Sequence, residues 1–256
     1  MTALKPDSWI EQRELTASDG ARNDVFGYSV AVSAQTAIVG AAGKTIGNHS
    51  GQGAAYVFTC SGTPCTWTQQ QELTAIDGGR GDVFGYSVAV SGNTVIIGAI
   101  GQNSPRGAAY VFTCSGNPCT WTQQQELTAT DGASRDEFGT RVAVSGNTIV
   151  IGNNSSQGAA YVFTCSGIPC TWTPQQELTA ADGARGDEFG YSVAVSGKTT
   201  LIGAAYKNSY QGAAYVFNSP AFEGEHLRMR DRSRSTSRVI RPASTRTASH
   251  PLPASR

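Results

Sequence analysis

Six cysteines carry the plainest chemistry in the sequence. All lie in the pattern Cys-Ser-Gly-x-Pro-Cys, as Cys60 and Cys65, Cys114 and Cys119, and Cys165 and Cys170. Each pair brackets a four-residue turn. Residues flanking such a turn face each other across about 4.5–5.5 Å, which suits the Cα separation of a disulfide. The pairs lack histidine partners and Cys-x-x-Cys spacing, which argues against zinc. Three short-loop disulfides are therefore predicted, and with them an oxidising compartment, extracellular or at the cell surface. Against this, Met1 to Trp9 show no basic start followed by an apolar stretch, so no signal peptide is visible.

Carboxylates recur as regularly. Asp19 and Asp24, Asp77 and Asp82, Asp131 and Asp136, and Asp182 and Asp187 each stand five residues apart. In Asp77-Gly-Gly-Arg-Gly-Asp82 they bracket a glycine-rich turn. The simplest role for such a pair is to accept turn N–H groups and lock the entry to the next strand. A cation or polar ligand at this rim is the sharper alternative, with Asp77, Asp82, Asp182 and Asp187 as candidate metal ligands. Catalytic acid–base pairing fits less well, since an active site is needed once and the pair occurs four times. His49 lies in a variable segment, and His226 and His250 lie near the C-terminus. No nucleophile has an activating base beside it, and no phosphate-binding glycine fingerprint appears between a strand and a helix. The expectation is a protein that is not an enzyme and holds no cofactor.

These residues are positioned by a repeat. Trp9, Trp67, Trp121 and Trp172 keep step with Phe26, Phe84, Phe138 and Phe189, and with Gly40, Gly98, Gly152 and Gly203. Length varies only between each of those glycines and Tyr56, Tyr110, Tyr161 or Tyr215, which marks a loop there. Within one unit, Phe84 to Val90 alternate large and small residues, as in a strand with one crowded face. Ser91-Gly92-Asn93 is a turn signal, and Thr94 to Ala99 form a short buried strand. Ala108 to Thr113 form a third strand, and Ser115-Gly116-Asn117-Pro118 a second turn. Thr120 to Ala129 form a fourth strand, polar at alternate places as an outer strand would be. Four antiparallel strands in about 50 residues make the blade of a β-propeller.

The recurring pairs Phe26-Gly27 with Gly40-Ala41-Ala42, and Phe189-Gly190 with Gly203-Ala204-Ala205, resemble the FG-GAP repeat of integrin α-subunit propellers and bacterial surface proteins. The resemblance runs over residues 9–217. It implies an all-β propeller with repeats at about 26–75, 84–129, 138–180 and 189–217, plus the strand 9–17. Many integrin-type repeats carry an Asp-x-Asp-x-Asp-Gly calcium loop between the first two strands. Here the matching segments are Ser33-Ala34-Gln35, Ser91-Gly92-Asn93, Ser145-Gly146-Asn147 and Ser196-Gly197-Lys198, which lack carboxylates and are short for a cation wanting six to eight oxygens. The third repeat departs further, with Thr140-Arg141 in place of Tyr-Ser. Arg80-Gly81-Asp82 and Arg185-Gly186-Asp187 spell an integrin-ligand tripeptide. Their Gly and Asp belong to the repeat pattern, so the spelling carries little weight.

The fourth unit ends at Phe217 without an outer strand, while the chain begins with an orphan outer strand, Trp9–Ala17, matching Trp67–Ala75. The expectation is four blades, with the N-terminal strand completing the last one. The alternative is a fragment of a larger propeller, open and able to self-associate. Charged residues are only 15% and the formal net charge is zero. That balance conceals an acidic body, with 11 Lys and Arg against 16 Asp and Glu in residues 1–217. An acidic propeller is a poor nucleic-acid surface. Residues 218–256 are Arg- and Ser-rich, with Arg228, Arg230, Arg232 and Arg234 in close succession, and read as a disordered tail. No apolar run is long enough for a membrane helix. The functional expectation is a non-catalytic extracellular binding or adhesion-like module for a protein or glycan. It would present the variable loops Gly43–Gln52, Gly101–Arg106, Asn153–Gln157 and Tyr206–Gln211 on one face. A structural spacer in a larger surface protein is the alternative, and an enzyme using the rim carboxylates the remotest reading.

Overall fold

The computed structural model describes residues 9–102, 106–155 and 158–219. The Arg/Ser-rich tail from residue 220 onward, and Met1 to Ser8, lie outside the described residues. Four sheets follow one another along the chain. The first contains β1 (Phe26–Ser33), β2 (Thr36–Ala41), β3 (Ala54–Ser61) and β4 (Thr66–Leu73). The second contains β5 (Phe84–Ser91), β6 (Thr94–Ala99), β7 (Ala108–Ser115) and β8 (Thr120–Leu127). The third contains β9 (Arg141–Ser145), β10 (Thr148–Gly152), β11 (Ala160–Ser166) and β12 (Thr171–Leu178). The fourth has three strands among the described residues, β13 (Phe189–Ser196), β14 (Thr199–Ala204) and β15 (Ala213–Asn218). All are antiparallel meanders, the blades of a propeller-type array.

The sequence alternation explains how the blades stack. In β5, Val88 and Val90 project to one side and meet Ile38, Val57 and Leu73 of the preceding blade, all three fully or almost fully buried. The same layer forms between the second and third blades around Ile96, Val111 and Phe138, and between the third and fourth around Val150, Leu178 and Phe189. Each Phe of the Phe-Gly pair stands edge-on or tilted to two aromatic rings of its own blade, as Phe84 does to Tyr110 and Phe112 at 5.6 and 6.0 Å. Blades are also tied by polar groups. Ser87 Oγ donates to the Gly139 carbonyl at 2.7 Å, and Ser29 Oγ to the Gly85 carbonyl at 2.7 Å. On the outer strands, the Gln71 amide exchanges two hydrogen bonds with the Trp121 backbone, at 2.8 and 2.9 Å, and Gln125 does the same with Trp172. A glutamine side chain thus acts as a short piece of strand between blades.

All six cysteines are paired as the spacing predicts: Cys60–Cys65, Cys114–Cys119 and Cys165–Cys170, with Cα separations of 5.6, 5.6 and 5.5 Å. Each disulfide closes the turn between the third and fourth strands, next to the turn between the first two, as the Cys60 N–H to Gln35 carbonyl bond shows. So small a loop still restricts the unfolded chain by about 2 kcal/mol per bridge. Replacing Cys114 and Cys119 together by serine should therefore cost about 2 kcal/mol in a urea titration. The β signal in circular dichroism should be retained at room temperature.

The ring closure expected from the orphan strand is not what the structure shows. Residues 9–17 form no strand with β15. They lie alongside the first blade instead, where Leu15 and Ala17 pack on Val39, Tyr56 and Phe58. Arg13 Nη1 donates to the Trp67 carbonyl at 3.0 Å, the bond that Gln71 makes to Trp121 one blade later. The segment sits where the outer strand of a preceding blade would sit. The physical reason is the turn at 18–25, which delivers the chain directly into β1 and holds the segment at that end of the array. Val30 and Val32 in β1 are consequently 70% and 68% exposed, and Leu201 and Val216 at the far end are 44% and 64% exposed.

Candidate binding face

The loops between the second and third strands and the turns between blades gather at one end of the array, opposite the disulfides. They are built into one another by backbone hydrogen bonds. The Gly43, Gly101, Asn154 and Tyr206 N–H groups donate to the Asp24, Asp82, Asp136 and Asp187 carbonyls, at 2.7–3.3 Å. The first two loops then reach forward to the next turn. Gly81, Val83 and Phe84 donate to the carbonyls of Ser50, Gly51 and Gln52, and Phe138 donates to that of Arg106. His49 Nδ1 lies 3.2 Å from both the Gln52 side-chain oxygen and the Gly78 carbonyl, joining loop to turn again.

Side chains close the same joints, and here the aspartate pairs find their places. The second Asp of each pair accepts a turn N–H: Asp24 from Ala21, Asp82 from Gly79, Asp136 from Ala133 and Asp187 from Ala184. The first Asp accepts from a tyrosine hydroxyl, at 2.9 Å in Tyr56–Asp19, 3.2 Å in Tyr110–Asp77, 3.0 Å in Tyr161–Asp131 and 2.8 Å in Tyr215–Asp182. In the first and fourth blades a buried lysine spans the pair. Lys44 Nζ lies 2.8 Å from Asp19 and 3.4 Å from Asp24, and Lys207 Nζ lies 3.3 Å from Asp182 and 3.4 Å from Asp187. In the second blade Gln102 takes that position, donating to Asp77 and Tyr110 at 2.8 Å each.

Of the metal-ligand candidates, Asp182 and Asp187 thus hold an ammonium group between them, while Asp77 and Asp82 hold a glutamine amide, a tyrosine hydroxyl and a backbone N–H. The lysines escaped the sequence reading. The signal was available, because Lys44, Gln102 and Lys207 all stand four residues after the marker glycine. The loop segments 103–105 and 156–157 lie outside the described residues.

The charges respond to this packing. Burial works to lower the Lys44 pKa, but hydrogen bonds to Asp19 and Tyr56 outweigh it and the net shift is upward. Asp19 is held below the usual carboxylate value, chiefly by its bond to Lys44. Glu72 and Glu177 are pushed up, first by burial and then by the neighbouring Asp19 and Asp131. A depressed native pKa for Asp19 stabilises the fold above the ordinary value of 3.8, and that contribution disappears as pH falls through the lower native value. The stability difference between the wild type and Asp19→Asn should therefore be constant at neutral pH and shrink below pH 3.8 in acid titrations of unfolding. A difference unchanged down to pH 2 would contradict the pairing.

Outside the joints, the face exposes aromatic surface on the last blade. Tyr206 stands edge-on to Tyr191 at 5.6 Å and to Tyr210 at 5.1 Å, with Tyr210 78% exposed. On the first two blades Tyr28 and Tyr86 pack across the blade boundary at 5.0 Å. Arg141 stands over the Tyr191 ring at 5.5 Å.

No curated protein sequence matches the chain. Solved structures similar to it include Saccharomyces cerevisiae Sqt1, at 9% identity and a TM-score of 0.43, covering 80% of this chain and 50% of that one. A Bombyx mori GH32 β-fructofuranosidase in complex with sucrose is similar at 13% identity and a TM-score of 0.37, covering 77% and 49%. The chain spans about half the length of each. The FG-GAP repeat profile matches four times, at residues 9–58, 67–112, 121–163 and 172–217. Each match begins at an outer-strand tryptophan and ends in the third strand of the next blade, the unit that the loop-and-turn joints hold together. The chain belongs to the FG-GAP repeat family.

Proposed function

We propose that the chain is a non-catalytic, extracellular binding or adhesion-like module that recognises a protein or glycan through the loop face. The observation that carries this reading is the construction of that face. Loops that differ in sequence, and that take three lengths across the four blades, are fastened by recurring backbone joints, so the scaffold repeats while the outward surface varies. Such a division between fixed frame and variable loop suits recognition. The exposed Tyr191 and Tyr210, with the half-buried Tyr206 between them, supply apolar rings with polar tips, which suit sugar faces and protein contacts alike. The carboxylates that could have served as acid and base are engaged in the joints, which supports a non-catalytic role. Three disulfides support an oxidising compartment.

The test is a glycan and extracellular-protein array probed with the chain and with a Tyr206→Ala, Tyr210→Ala variant. Saturable binding that falls at least tenfold in the variant is expected. Absence of binding on both arrays favours a spacer role. Turnover in a hydrolase panel that is lost in Asp77→Asn or Asp182→Asn would overturn the non-catalytic reading.

A further inference from the structure

The two ends of the array are complementary to each other. Between neighbouring blades, four contacts recur: a Ser hydroxyl on the Phe-Gly glycine carbonyl, a serine hydroxyl accepting from the next blade's first turn, a parallel bridge onto the next Phe, and a layer of aliphatic side chains. Ser29 and Ser87 make the first of these to Gly85 and Gly139. Gly92, Gly146 and Gly197 donate to Ser33, Ser91 and Ser145 in the second. Gly53, Gly107 and Gly158 bridge to Phe84, Phe138 and Phe189 in the third.

At the ends, half of each contact is present and unmatched among the described residues. The fourth blade offers the Ser192 hydroxyl as donor, the Ser196 hydroxyl as acceptor and Gly212 at the bridge position, together with the exposed Leu201 and Val216. Leu201 occupies the place of Ile38, Ile96 and Val150, and Val216 that of Val57 and Val111, every one of which is fully buried. The first blade offers the Gly27 carbonyl, the Ala34 N–H and Phe26, with Val30 and Val32 exposed where Val88 and Val90 pack into a core. Residues 9–17 lie beside them in the position of a preceding blade's outer strand, a strand that the fourth blade does not have among the described residues.

We infer that a second copy of this chain docks head to tail on the first, its residues 9–17 adding a fourth strand to β13–β15 and its β1 face covering Leu201 and Val216. The interface repeats contacts made within the chain, three times for the turn, the bridge and the aliphatic layer and twice for the Ser hydroxyl, so it requires no new chemistry. Head-to-tail contacts form a ring when their rotation closes. Two copies give eight blades, within the usual four to eight of closed propellers. The arrangement also pairs the edge of β15 that is open among the described residues, and an open edge recruits other strands.

The test uses the full chain and two surface variants, with light scattering after size exclusion and sedimentation across a concentration series. Val30→Asp, Val32→Asp alters the leading face, and Leu201→Asp, Val216→Asp the trailing face. Wild type should run at twice the monomer mass, and each variant alone at monomer mass with an unchanged β signal. Mixing the two variants should restore a 1:1 heterodimer, because each retains the face the other lacks. Gly203→Ala serves as a second trailing-face variant should the aspartates impair folding. Its Cβ meets only the Ser192 hydroxyl in the single chain, but in the dimer it would overlap the partner's Gly27 carbonyl, as Gly98 stands to Gly139. A monomeric wild type, including one that closes on itself, overturns the inference. So does a dimer that survives both variants, or a mixture that stays monomeric.

Discussion

Replacing Gly98 by alanine should cost about 4 kcal/mol or more, at the upper end of what single substitutions do. The residue lies in β6 at the boundary between the second and third blades. An added Cβ would overlap the Gly139 carbonyl oxygen and the Ser87 hydroxyl that donates to it. Both groups are fixed from the other side, because Gly139 is itself packed against the Ala108 carbonyl. Relief therefore requires the blades to separate, opening the layer that buries Ile96, Phe138 and Ile149. The control is Gly92→Ala. Gly92 has φ of +56° but open space around its Cβ position, and Ala34 holds the equivalent place in the first blade at φ of +50°. That substitution should cost only about 1 kcal/mol of left-handed backbone strain. Urea titrations of the two variants side by side measure the contrast. Equal costs would mean that the blades do not approach as closely as the Gly98–Gly139 contact requires.

The second large effect belongs to Lys44. Its side chain is 7% exposed and serves two aspartates, of which Asp24 is 9% and Asp19 48% exposed. Lys44→Met leaves the Asp24 carboxylate buried with only the Ala21 N–H. Breaking a buried pair from one side costs about 3–5 kcal/mol, and the exposure of Asp19 brings the expected loss here to about 2–3 kcal/mol. Lys44→Gln should recover most of it, since Gln102 performs the corresponding task in the second blade by donating to Asp77 and Tyr110. Thermal unfolding monitored by circular dichroism should rank wild type, Gln and Met in that order. A methionine variant as stable as wild type would remove the ion pair from the account of the joint.

Those two cases show what the sequence makes legible. The Phe-Gly and Gly-Ala markers locate the blade boundaries, because a glycine is needed wherever two backbones approach within the space of a Cβ. The alternation in β5 and the polar outer strand β8 likewise follow from one crowded and one wetted face. The cysteine spacing leads directly to the observed pairs. The aspartate pairs are legible as turn residues, but their further partners are not. Tyr56, Tyr110, Tyr161 and Tyr215 read as core strand residues, and only the fold brings their hydroxyls to a turn some 30 residues away. Val25, Val83, Glu137 and Glu188, each preceding a Phe-Gly pair, adopt positive φ of 49–59°. None is a residue type that advertises that conformation. The bonds from loop to turn hold them there. Placement of residues 9–17 failed to follow from matching alone, since an outer-strand sequence fits either end of the array and the tether through residues 18–25 decides between them.

The loops at this end of the array are fastened to the inter-blade turns and not free. Amide hydrogen exchange reads this residue by residue. The N–H groups of Gly43, Gly53, Phe84, Gly101 and Phe138 each donate to a backbone carbonyl in a loop or turn of this face. They should exchange at least a hundredfold more slowly than an unstructured chain, approaching the protection of β2 and β6. Exchange of these amides at unprotected rates, with the strands still protected, would mean that the joints do not form and that the face has no fixed shape to present.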